Sequence, residues 1–98
     1  MKTIKQQFNE ITKMKFFEIE VINNRTNEID YIIFDIDVIG NQFVVKHVAL
    51  TKEQEQSNII PRIVMDIDED FSLDTNLQEL FVICNQSIID SDFYRFNE

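Results

Sequence analysis

Apolar positions change their spacing along this chain, and each change marks a new element. Ile4, Phe8, Ile11 and Met14 are separated by four, three and three residues, which places them on one face of a helix over 3–13. Lys5, Gln6, Asn9 and Glu10 then point outward. From Phe16 the period drops to two. Phe17, Ile19 and Val21 alternate with Glu18 and Glu20, as in a strand buried on one side. Asn23-Asn24-Arg25-Thr26-Asn27 is turn chemistry. A second strand follows over 31–38, Gly40-Asn41 marks a compact turn, and 43–50 returns as a third strand.

The three strands check one another. A two-residue turn at Gly40-Asn41 sets Val38 against Phe43, Ile36 against Val45, Phe34 against His47 and Ile32 against Ala49. That face is apolar, and the other pairs Asp35 with Lys46. A four-residue loop after Asn23 sets Phe17 against Phe34 and Ile19 against Ile32, so all three strands agree on the inward side. A slip of one residue in either hairpin would turn Asp35 and Asp37, or Glu18 and Glu20, into the core.

Polar residues dominate 51–58, which reads as a loop or a single helical turn. A fourth strand is expected over 59–68, where Ile63, Met65 and Ile67 alternate with Arg62, Val64 and Asp66. Pro61 suits the start of that strand or a sheet edge. Leu73, Leu77, Leu80, Phe81, Cys84 and Ile88 then recur at helical spacing, with Thr75 and Gln78 placed as a capping box. The aromatic tail from Asp90 to Phe96 is expected to dock. The reading is a single α+β domain over 1–98, ordered α-β-β-β-β-α. One antiparallel sheet, a three-stranded meander plus a fourth strand, carries its N-terminal and C-terminal helices on one face.

Composition narrows the function. Ninety-eight residues suffice for one core. Abundant Ile and Asn reflect an AT-rich genome, as of a low-GC bacterium or its phage. The single Cys84 allows no internal disulfide. The first residues lack the apolar run of a signal peptide, and no apolar stretch approaches a membrane span, which predicts a cytoplasmic protein. The formal charge of −9 disfavours direct binding to nucleic acid or to anionic membranes and favours a basic protein partner.

Several motifs dissolve when placed in context. Ile32-Ile33-Phe34-Asp35-Ile36-Asp37 resembles the nucleophile motif of haloacid-dehalogenase-type phosphatases. That motif ends a parallel strand and precedes a helical crossover, whereas here a turn and another strand follow. Strand alternation alone accounts for the aspartates. In 68–79, Asp68, Asp70, Ser72, Asn76 and Glu79 occupy the first, third, fifth, ninth and twelfth positions of an EF-hand, but Leu73 stands where the glycine belongs. An acidic strand–helix connection explains them, with carboxylates near a helix N-terminus. His47, the only histidine, falls on the apolar face beside Phe34, with no second group to form a catalytic pair. One Cys, one His and one Gly supply neither a zinc site nor a phosphate loop. No enzymatic activity, metal or cofactor is expected.

What remains is surface. Asp66, Asp68, Glu69, Asp70 and Asp74 cluster, and Asp90 and Asp92 are expected to approach them across the last helix. Carboxylates on a rigid frame imitate a phosphate backbone and compete for the basic groove of a nuclease or DNA-binding protein. In composition and layout the chain is similar to small acidic anti-CRISPR and antirestriction proteins. That resemblance implies a stoichiometric, immunity-type inhibitor of phage or mobile-element origin that works as a DNA mimic. The alternative is an assembly module, a homodimer or complex subunit, using a sheet edge or the outward Tyr31, Ile33, Val44 and Val48, because large aliphatics on an outer face call for a cover.

Overall fold

Two tight turns and one long connection lay the chain out as a sheet flanked by helices, in a computed structural model that describes residues 1–11, 15–52, 54 and 60–97. Helix α1 (Ile4–Asn9) opens on a capping box. Thr3 Oγ1 accepts from the Gln6 amide at 3.1 Å, and Gln6 Oε1 accepts from the Thr3 amide at 2.9 Å. The helix stops at Asn9, short of the expected residue 13, because Ile11 N–H closes onto Phe8 O and tightens the last turn. Ile4 and Phe8 are buried and Ile11 packs beside them, while Met14 lies outside the described residues.

Strands β1 (Phe16–Asn23), β2 (Ile29–Ile39) and β3 (Gln42–Val48) form the meander in the expected register. Phe17 faces Phe34, Ile19 faces Ile32, Phe34 faces His47, Asp35 faces Lys46, Ile36 faces Val45 and Val38 faces Phe43. Gly40 supplies the positive φ of 61° that the first position of the two-residue turn requires. The last pair of the second hairpin is Ile33–Val48, so the expected Ile32–Ala49 pair lies past the end of β3.

Strand β4 (Ile63–Asp66) is shorter than the expected 59–68 and pairs antiparallel with β3. Ile60 and Ile67 flank it as buried residues, and Ile59 falls outside the described residues. Most of the polar 51–58 segment does too. Within it, Thr51 Oγ1 accepts from the Gln54 amide, and Gln54 is buried.

Helix α2 (Leu73–Asp90) buries Leu80, Cys84 and Ile88. Its cap is Ser72 and not Thr75. Ser72 is extended (φ −69°, ψ 163°) and its Oγ accepts from the Thr75 amide at 3.1 Å, so Thr75 already stands inside the first turn. The aromatic tail does dock, and it contributes a fifth strand that the sequence pattern does not show. β5 (Tyr94–Arg95) pairs with Ile22 and Asn23 of β1, giving the order β4-β3-β2-β1-β5. The Asn-rich β1–β2 loop holds it there. Asn24 N–H and Asn24 Nδ2 donate to the Phe93 and Asp92 carbonyls, and Arg95 forks onto the side-chain oxygens of Asn24 and Asn27 at 2.7 and 2.9 Å.

One hydrophobic cluster draws on every element: Ile4 and Phe8, Val21, Ile32 and Phe34, Phe43 and Val45, Ile63 and Met65, Leu80 and Ile88, and Tyr94. Edge-to-face rings seat both helices on the same side of the sheet. Phe8 meets Phe43 at 5.4 Å, and Phe17 meets Phe81 at 4.7 Å. Among the described residues no helix is long and apolar enough to cross a membrane.

Candidate acidic interaction surface

The connection from β4 to α2 is built by one buried amide. Asn76, 1% exposed, lies on the apolar stripe of α2 one turn before Leu80. Its Oδ1 accepts from Asp68 N–H at 2.9 Å, and its Nδ2 donates to the Asp68 carbonyl at 3.0 Å and the Ser72 carbonyl at 2.8 Å. The chain therefore turns around a side chain, and the backbone groups of the corner are satisfied. Asp68 Oδ1 accepts from Asp70 N–H, which adds an Asx turn. Ile67 N–H donates to the Asn41 carbonyl at 2.9 Å, tying the corner to the β2–β3 turn.

These bonds decide the fate of the EF-hand-like spacing. Ser72 is spent on the helix cap and Asn76 on the clamp, so neither is turned toward an ion. Among the described residues no group of three or more His, Cys, Asp or Glu is arranged to hold a metal.

The corner presents its carboxylates outward. Asp66, Asp68, Glu69, Asp70 and Glu79 line one open cleft of 430 Å³ together with Asn41 and Ile67. Asp66 Oδ1 accepts from Gln42 Nε2 at 2.8 Å, and Glu69 Oε2 accepts from Ile4 N–H at 3.3 Å. Asp74 sits exposed in the first turn of α2, where the helix dipole favours it. Glu79 belongs to this cleft although it lies nine residues from Asp70 in sequence. Two helical turns from Ser72 bring it back over the corner, a phase that only the true cap position reveals.

Asp90 and Asp92 do not join the cluster. α2 separates Asp74 from Asp90 by sixteen residues, about 24 Å at 1.5 Å per residue, so these two acids mark the far end of the molecule. There they stand at the negative pole of the helix with no basic residue in its last turn. The segregation of charge is wider than the cleft. Between Ile63 and Tyr94 the chain has eight acidic residues and no basic one, against ten acidic and nine basic in the rest.

The outward Tyr31, Ile33, Val44 and Val48 divide. Tyr31 and Val48 are 42% and 39% exposed and Ile33 is half-buried. Val44 is only 2% exposed, hemmed in across the strands by Asp37 and Val64, so it offers no contact surface. Asp35 and Asp37 are exposed in the middle of an antiparallel strand, away from any crossover.

At the other end of β2 lies a polar cluster that the sequence pattern conceals. Gln54 Nε2 donates to Asp30 Oδ1 at 3.3 Å and to the Tyr31 carbonyl at 3.2 Å. Burial raises the Tyr94 phenol above its ordinary range, and Asp30 adds to the rise, while a hydrogen bond from Gln54 opposes it. His47 sits close by, its ring 6.2 Å from that of Phe34, with Nε2 buried and without a hydrogen-bond partner among the described residues. Burial holds its pKa below 6.5 against the pull of Asp30. Cys84 is buried among aliphatics and its thiol is pushed up to about 12, so it stays protonated and inert at neutral pH. Comparison with protein-family models, with curated proteins and with solved structures gives no significant match.

Proposed function

We propose that this chain is a small non-enzymatic binding protein that acts as a stoichiometric inhibitor of a basic, nucleic-acid-handling protein, its carboxylates standing in for phosphates. The observation that carries the reading is the segregation of charge onto the unit from β4 to β5, with five carboxylates gathered around one rigid corner. A preorganised cluster of one sign costs little to orient at the moment of binding and steers a basic groove onto itself. Anti-CRISPR, antirestriction and immunity-type inhibitors of phage and mobile elements share this logic of size and charge, and cytoplasmic action would follow from it.

The test uses the side chains that the corner does not need. The carboxylates of Asp70 and Glu79 take no part in the hydrogen bonds that shape the turn, so D70K/E79K nearly cancels the negative charge of the cleft and spares the fold. The immobilised chain captures its partner from host lysate, and the purified partner is then titrated with wild type and variant. A 1:1 complex that excludes nucleic acid, weakened roughly a hundredfold in D70K/E79K, supports the reading. Equal affinity of the two proteins, or a complex that still admits nucleic acid, sinks it.

A second reading, a subunit that assembles through its sheet, is favoured by the exposure of Tyr31 and Val48 on a face that neither helix covers. Light scattering on the pure chain distinguishes a self-assembling protein from one that waits for another partner.

A further inference from the structure

The face of the sheet turned away from the two helices has an ordered pattern. Read across the strands, its rows are Ile22–Ile29, Glu20–Tyr31, Glu18–Ile33–Val48, Phe16–Asp35–Lys46, Asp37–Val44–Val64 and Ile39–Gln42–Asp66. Tyr31, Ile33 and Val48 make a continuous apolar lane over β2 and β3. Glu18 and Glu20 border it on the β1 side, and Asp35 and Asp37 continue β2 beyond its end. Among the outward positions of β1 to β4 there are five carboxylates, Asp66 included, and one amine, Lys46.

We infer that this face is a docking surface for an amphipathic basic helix of a partner protein. The apolar lane accepts the helix's aliphatic stripe, and Glu18, Glu20, Asp35 and Asp37 receive the Lys or Arg residues that flank the stripe. Charge complementarity selects this occupant. A second copy laid face to face would bring carboxylates against carboxylates, with only Lys46 on each side to offset them. The scale also fits. Strands lie about 4.8 Å apart, so β1 to β3 span about the 10 Å width of a helix. The inference rests on the basic-partner reading above, but it names a surface separate from the cleft at Asp68 and Asp70.

The probe is a synthetic Leu/Lys peptide with leucines at i, i+3 and i+4 spacing. Its control has the same residues in an order that breaks that period and keeps the charge. Amide chemical shifts of the labelled full chain locate the binding, and fluorescence anisotropy measures it. The inference predicts shifts centred on Tyr31, Ile33 and Val48 and much weaker binding of the control. Tyr31→Thr/Val48→Thr places a strand-compatible β-branched residue at both exposed positions and should weaken binding at least about tenfold, while D70K/E79K leaves it within about twofold. Shifts confined to 66–79 overturn this docking surface and leave the basic-partner reading intact. Equal binding of peptide and control also overturns it, since charge alone would then suffice. A dimer of the pure chain that the Tyr31→Thr/Val48→Thr variant disperses makes the occupant a second copy, and no binding by either peptide removes the inference as well.

Discussion

His47 shows how much one side chain can impose on a small core. Its Nε2 is buried without a partner among the described residues, and burial outweighs the favourable field of Asp30, so the folded protein resists protonating it. Lys46 and Arg62 line the same small cavity as His47. The sign follows from linkage. An unfolded chain takes up the proton near pH 6.5, while the folded chain does so only at lower pH. Stability associated with His47 is therefore complete above pH 6.5 and declines as pH falls through that value toward the folded pKa. His47→Leu should flatten this part of the pH dependence, and the contrast between urea midpoints at pH 7.5 and 5.5 measures it. A wild type and variant with parallel midpoints would remove His47 from the account. Cys84 makes a complementary prediction at the same scale. A thiol held up to about 12 in an aliphatic setting should resist alkylation in the native state and react only on unfolding. Cys84→Ala should cost about 1 kcal/mol by chemical denaturation, the order expected for a small buried cavity.

At the scale of elements, the corner between β4 and α2 hangs on Asn76. Asn76→Ala leaves the Asp68 N–H without its partner and takes one of two donors from each of the Asp68 and Ser72 carbonyls, which keep the Phe71 and Asn76 amides; this predicts a loss of about 2 kcal/mol in denaturant unfolding. A loss below about 1 kcal/mol would mean that water replaces the clamp. Asn76 also marks where the sequence stops being legible. It occupies a spacing that suits a calcium loop and equally an apolar-stripe position near a helix start, and only the position of the cap separates the two roles. The meander was readable because 17–21 and 34–38 alternate strictly and two turns fix the offsets, so one choice of inward face satisfies all three strands. β5 was not, because two residues carry no period and its place depends on Arg95 reaching Asn24 and Asn27 across the fold. The candidate site divides in the same way. Asp66 to Asp70 are adjacent in sequence and stay together, Glu79 joins through helix phase, and helix length carries Asp90 and Asp92 away.

For the whole molecule the decisive quantity is where the charge lies. A net −9 spread evenly would give a weak general field, but the six carboxylates from Asp66 to Glu79, with no basic residue among them, repel one another across distances comparable with the screening length of about 10 Å at 0.1 M salt. Added salt should consequently stabilise the isolated protein. The urea midpoint should climb as sodium chloride rises from low ionic strength to roughly 0.5 M, where most of that repulsion is screened. D70K/E79K places two amines among those carboxylates and should start from a higher midpoint with a shallower rise. The same screening weakens attraction to a basic partner, so affinity should fall over the range in which stability grows. These opposite slopes separate a surface kept acidic for binding from one that is acidic only for solubility. A solvated acidic face produces the first slope alone, and a steep loss of affinity with salt requires that the carboxylates meet a positive surface.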